Sequence, residues 1–312
     1  SNWVLSPGFP ILEIKKLDNN EVLVNQKPFN DGSKTKLWNV PLFTNYPAKE
    51  DLLDKESITI KQEKEPLIFN YGFSGHYLVD YKDEDTKRYI EGKIQNKELP
   101  IIDRLFYLES KLLLSKNNKI PFKEVLDILS LYSDEDDEAV WTAILGAIST
   151  ANQFKTIEPE LKQKIEKYAD NITSKKLSEL TWEENEKDSL NIKKLRTILI
   201  SLSLFSKNEN SLKKAKELFV AYRDKKDSIR PDIAAYVLRA IIESKEDGAF
   251  DFLLNEYKTT KDIQLKEEIV KALTASMDEK HVDCLLRLLK DRKIIKSQDL
   301  IRWLRFLFGN LS

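Results

Sequence analysis

The spacing of apolar residues changes once along this chain, near residue 82, and that change fixes the order of its parts. Before it the apolar residues fall in short alternating runs: Ile11, Leu12 and Ile14; Val22, Leu23 and Val24 leading to Phe29; Leu37 to Phe43; Ser57 to Lys61; and Leu67 and Phe69, then Tyr77, Val79 and Tyr81. A period of two sends successive side chains to opposite faces, so each run reads as a strand. Asn19 and Asn20, Asp31 and Gly32, and Ser74 and Gly75 supply turn residues between the runs. Short strands separated in this way predict a small antiparallel β-sandwich over residues 1–82.

Asp83 to Asp85 carry acidic groups that suit a helix N-terminus. Beyond them the apolar period becomes about 3.6. Leu105, Leu108, Leu112 and Leu113 share a helix face, as do Val140, Ala143, Ile144, Ala147 and Ile148. The same plan repeats down to Val282, Leu285, Leu288 and Leu289, and to Leu300, Trp303, Leu304 and Leu307. Ser211, Asp232, Asp278 and Ser297 read as helix-capping residues at the short connections. No such helix buries its own stripe. The run over residues 83–312 is therefore expected to stack as αα-hairpins into an all-α, solenoid-like superhelix, with no regular named repeat. Gly and Pro follow the same division: residues 1–92 hold five of the eight Gly and six of the ten Pro.

Composition narrows the chemistry. Lys and Arg number 51 against 52 Asp and Glu, a formal charge of −1, which gives no electrostatic reason to expect nucleic acid or a membrane as partner. No stretch approaches the ~20 apolar residues that span a bilayer. The N-terminus lacks the basic-then-apolar order of a secretory signal, and Cys284 is the single cysteine, so a reducing cytoplasm is the expected location. One cysteine excludes a disulfide framework and paired thiolate zinc sites. The two histidines, His76 and His281, are too far apart in sequence for an H-E-x-x-H helix. Neither has a second His nearby, and each reads as an ordinary surface or structural residue.

Other candidates also have plain readings. The acidic run Asp134 to Glu138 lacks the ligand alternation and central Gly of a calcium loop and reads as a solvated helix N-terminus. Arg287, Lys290, Arg292, Lys293 and Lys296 form a basic cluster, but Asp283, Asp291 and Asp299 interleave with it, as on a solvated face. Cys284, between Val282-Asp283 and Leu285-Leu286, is expected at a half-buried helix position and reads as an inert core thiol. No G-x-G-x-x-G, Walker loop or G-x-S-x-G occurs.

Several short strings, taken in order, resemble one family. Trp3 and Gly8-Phe9-Pro10, followed by Ile14, Val22, Val24, Gln26 and Phe29, are similar to the W…G-[YF]-P…V…Q-x-R-F segment of the aminopeptidase N family of zinc aminopeptidases, which includes the endoplasmic-reticulum and insulin-regulated aminopeptidases. Trp38-Asn39-Val40-Pro41-Leu42 resembles the family's W-x-[VI]-P strand. Asn70, Gly75, Tyr77, Val79 and Tyr81 resemble its N…G-x-Y-R-V-x-Y strand. Asp103-Arg104, Trp141, Trp182, Leu195-Arg196, Lys296 to Asp299 and Asn310 fit its later helices. Pro28 and Leu78 stand where the family usually has Arg, and Glu109 where Asp is frequent, which affects local salt bridges and not the fold.

The resemblance implies that this chain corresponds to the third and fourth domains of a larger zinc aminopeptidase, stopping short of the family's last helices. The family's G-x-M-E-N and H-E-x-x-H motifs do not occur in it. By the same resemblance this portion holds no catalytic, cofactor or metal residue and is inactive alone. Zinc and peptide substrates belong to the parent's catalytic domain, which this chain contacts intramolecularly and whose active site the helices cap. Gln298 and Arg302, four apart on one helix face, are the expected substrate-chamber residues, with Arg302 suited to a peptide carboxylate. Two other readings remain open from the residues alone. The chain could be a free-standing helical adaptor binding a protein on its concave face, or, least supported, a hydrolase working through carboxylates only.

Overall fold

The structure, a computed structural model, describes residues 8–29, 37–153, 159–225 and 228–311, so the expected turn at Asp31 and Gly32, Trp3 and the side chain of Asn310 lie outside the described residues. The chain divides into two compact units, Ser1–Ala147 and Ile148–Ser312. The change from strand to helix comes earlier, between Tyr81 and Glu84. The first unit therefore holds strands and helices together.

Its strands are β1 (Pro10–Lys16), β2 (Glu21–Pro28), β3 (Val40–Pro41), β4 (Leu52–Leu53), β5 (Ser57–Lys61) and β6 (Leu78–Tyr81). Four of them form a sheet in the order β5-β2-β1-β6, and β3 and β4 form a second, two-stranded sheet. β1 and β2 pair antiparallel with Ile14 opposite Val24, and both face the core. Asn19 and Asn20 turn between them at φ of 59° and 57°, left-handed positions that Asn tolerates better than most residues. Pairing is antiparallel except at β6, which runs parallel to β1 with Ile14 opposite Tyr81. A parallel neighbour needs a long connection, here everything from β2 to β5.

Two expected strands shrink. Leu37 to Phe43 is a strand only at Val40–Pro41, and Leu67 to Phe69 supplies one bridge, between Thr44 and Phe69. The reason is visible at Trp38: its backbone N–H donates to Gln26 Oε1 at 2.9 Å, and its carbonyl accepts from Gln26 Nε2 at 3.0 Å. A side chain thus does what a ladder would do.

The first unit continues with α1 (Glu84–Gln95), α2 (Ile101–Lys116), α3 (Phe122–Ile128), a 3₁₀ turn at Leu129–Tyr132 and the start of α4 (Glu138–Asn152). Asp83 joins sheet to helix. One carboxylate oxygen caps α1 by accepting from Thr86 N–H at 2.8 Å, and the other accepts from Lys16 N–H at the end of β1, 3.2 Å away. The stripe expected on α2 is only partly the buried one. Leu108 is buried, but Leu105, Leu112 and Leu113 are half-buried, whereas Phe106, Tyr107, Leu114, Asp103 and Arg104 are buried. α2 packs against β6 on one side and α3 on another, which a single stripe could not announce.

The second unit holds α5 (Pro159–Leu180), α6 (Leu190–Phe205), α7 (Glu209–Asp224), α8 (Pro231–Glu243), α9 (Ala249–Thr259), α10 (Ile263–Leu273), α11 (Glu279–Leu288) and α12 (Ser297–Leu311). α5 pairs with α6, α7 with α8 and α9 with α10, while α6, α8, α10 and α12 pack in succession as a second row. This is the αα-hairpin stack that the repeating stripes predict. Asp278 caps α11 as expected, accepting from Lys280 and His281 N–H. Ser211 and Asp232 do not cap. α7 starts earlier, at a cap formed by Asn208, and α8 opens with Pro231, whose missing N–H suits a first position.

Candidate functional site

Gln298 and Arg302 come together on α12, one turn apart, and line the same pocket of about 380 Å³. The next residue explains their position. Trp303 is buried, its Nε1–H donates to Tyr257 Oη at 3.1 Å, and the two rings meet edge to face at 5.1 Å. A buried Trp without that acceptor would carry an unmet donor. This bond fixes α12 to α9 and leaves the helix face beside Trp303 directed at the opening. Gln298 is exposed and Arg302 half-buried.

The opposite wall is α10. Arg302 Nη1 lies 3.6 Å from Glu267 Oε2, while Lys271 holds Glu267 Oε1 at 2.9 Å. The hydrogen bond and charge of Lys271, with Arg302 adding to them, hold the Glu267 carboxyl below the usual carboxylate range. Burial pushes the Tyr257 phenol up, and the Asp299 carboxylate adds to that, so the hydroxyl keeps its proton at neutral pH. Lys261, Lys266 and Lys296 line the same pocket. The sequence offered Lys296 as part of a solvated cluster and of the family-like run Lys296 to Asp299, not as a pocket residue. Lys266 and Tyr257 gave no signal, because their approach to Arg302 depends on how three helices pack.

Elsewhere the candidates take structural places. His76 is exposed and its ring meets Phe9 edge-on at 5.2 Å. His281 stacks flat on Phe250 at 3.8 Å, with Ser276 Oγ 2.8 Å from Nδ1. Cys284 is half-buried. Among the described residues no group of three or more His, Cys, Asp or Glu side chains converges as a metal would require.

The acidic run departs from its solvated reading at Glu135, which is buried with Arg104. Arg104 Nε and Nη2 donate to the two Glu135 oxygens at 2.8 and 2.9 Å, and Nη1 donates to Leu99 O at 2.6 Å. Burial pushes the Glu135 carboxyl up, but the Arg104 hydrogen bonds and the N–H groups of Asp136 and Asp137 outweigh it and hold the group low. Trp141 Nε1–H donates to the Glu135 carbonyl at 2.9 Å. The neighbouring Asp103 accepts from Gly72 N–H at 2.7 Å, and burial raises its carboxyl. Asn70, with φ 58°, donates through Nδ2 to Gly75 O and Tyr77 O and accepts from Gly75 N–H. A Cβ on Gly75 would lie 2.1 Å from the Tyr77 ring, so only glycine fits. These family-like residues hold the fold of the first unit.

Comparison with known proteins agrees with that pattern. Residues 66–310 match the sequence model of a family described as "ERAP1-like C-terminal domain". The chain is 27% identical to aminopeptidase N of Lactobacillus helveticus over 99% of its own length and 37% of that protein's. It is 28% identical to aminopeptidase N of Lactococcus lactis subsp. lactis (strain IL1403), over 100% of its own length and 38% of that protein's. The alanine/arginine aminopeptidase of Saccharomyces cerevisiae is 24% identical, covering 94% of this chain and 35% of that protein. The chain thus spans well under half the length of these relatives.

Proposed function

Since this chain belongs to the ERAP1-like C-terminal domain family, we propose that it is the non-catalytic C-terminal portion of a zinc-dependent aminopeptidase that removes N-terminal residues from peptides. One observation carries the reading: the whole chain aligns with proteins named as aminopeptidases, yet with little more than a third of each. The described residues do not fit a zinc site, so the metal and the hydrolytic step are assigned to a catalytic domain outside this chain. The role of this part is to cap that domain and wall the substrate chamber. Closing a site over a peptide excludes water and holds the substrate in register, a task for rigid stacked helices and not for reactive side chains.

Gln298 and Arg302 are the residues we assign to the chamber wall. Both line the open pocket from the first half of a well-anchored helix, and among the described residues the one carboxylate paired with Arg302 is Glu267, at 3.6 Å. The test is release of amino acids from short peptides. This chain alone should show none, and a protein carrying it downstream of the catalytic domain should show chelator-sensitive release. Chelator-sensitive release by the chain alone would sink the proposal. In the longer protein, Arg302→Gln should raise KM for peptides with little change in kcat, and an unchanged KM would remove Arg302 from the chamber.

A further inference from the structure

The pocket beside α12 holds more positive charge than its own carboxylates balance. Lys261, Lys266, Lys296 and Arg302 line it against Glu267 and Asp299, four cations to two anions, in a chain whose formal net charge is −1. Glu267 is moreover shared with Lys271, which holds it at 2.9 Å. Among the described residues Lys261, Lys266 and Lys296 form no ion pair, and the carboxylate nearest Arg302 is at 3.6 Å. Like charges gathered in excess of their counter-charges repel, and a bound anion relieves that repulsion.

The floor adds direction to the charge. The Lys266 ammonium stands 5.3 Å from the centre of the Tyr257 ring. The Tyr257 hydroxyl accepts from Trp303 Nε1 and so keeps its own O–H to donate. Ile263, Val270 and Ile294 supply apolar wall. The volume of about 380 Å³ suits a small organic molecule.

We propose that this pocket binds a phosphoryl dianion carried on a small organic molecule. A dianion matches the excess of two positive charges, which the single charge of a monocarboxylate would only half neutralise. The planar guanidinium of Arg302 pairs with two oxygens of a tetrahedral group, leaving others for the lysines and the Tyr257 hydroxyl. The inference goes beyond the peptidase reading and does not depend on it, because the pocket lies wholly within this chain.

Titration calorimetry of the chain with inorganic pyrophosphate, inorganic phosphate, succinate and acetate at matched ionic strength tests it. Saturable one-to-one binding of pyrophosphate and phosphate is expected, with succinate and acetate weaker by about tenfold or more. The double variant Lys266→Gln/Arg302→Gln should lose about tenfold or more in pyrophosphate affinity, and Arg302→Lys should lose less than Arg302→Gln. Lys123→Gln, on the exposed surface of the first unit, should leave binding unchanged, and circular dichroism establishes that each variant is folded. Absence of saturable phosphate binding overturns the proposal. So does acetate or succinate binding as tight as phosphate, or pyrophosphate affinity indifferent to the double variant in folded protein.

Discussion

The two units solve burial in different ways. In the first, the buried polar groups include amides and charges that reach across elements: Gln26 to Trp38, Asn70 to Gly75 and Tyr77, Arg104 to Glu135. In the second, most are hydroxyls, and several bond within their own helix, as Thr173 does to Ala169 O and Thr274 to Val270 O. Arg196 is the exception, with Asp188 and the carbonyls at the end of α5 as partners. A sheet with short strands and long irregular connections has backbone groups that no ladder reaches, so side chains must meet them. Stacked helices satisfy their own backbone, and their packing is left to apolar stripes. The first unit is thus specified by particular partners and the second by a repeated pattern.

The sharpest way to break this comparison is Glu135→Ala. It leaves the Arg104 guanidinium buried without its carboxylate, and about 3–5 kcal/mol of stability should be lost. Urea unfolding followed by hydrogen exchange in residues 84–152 reads it, and a loss below about 1 kcal/mol would mean that the pair is not what holds this region. The same pair sets a pH dependence. The Glu135 carboxyl is held below its ordinary value in the fold, so its contribution is complete above the unfolded value, near 4.3, and is lost as pH falls through the lower folded value. Glu135→Gln should therefore flatten the acid side of the stability profile, and an unaltered acid limb would contradict the assignment.

Asn70→Ala should come next, at about 2–4 kcal/mol, since it strands the Gly75 N–H and two carbonyls and leaves a non-glycine residue at φ 58°. The matching change in the second unit is Thr274→Val, which removes a bond to a carbonyl already serving the helix. A loss of about 1 kcal/mol or less is expected. If thermal unfolding showed Thr274→Val as costly as Asn70→Ala, the contrast between the units would fail.

Much of the fold is legible in the residues, and the reason is local. Val140, Ala143, Ile144, Ala147 and Ile148 are spaced as one face of a helix, and all five are buried on α4. Ser57 to Lys61 alternates and is β5 residue for residue. α2 was less legible because a helix covered on two sides has no single stripe. Within the candidate site, Gln298 and Arg302 could be placed on one face from their spacing alone. Their neighbours Lys266 and Tyr257 could not, for they arrive from α10 and α9.

Local spacing alone sets the order of strands before helices, the position of the change near residue 82 and the inward faces of helices covered on one side, because periodicity and turn chemistry act over a few residues. Tertiary structure alone decided that β6 joins β1 in parallel, that Glu135 leaves the solvent to meet Arg104, and that four cations gather beside α12. These depend on which distant segments meet. Charge and hydrogen-bonding capacity can be read from a residue's type, but the partner is set by its position in space.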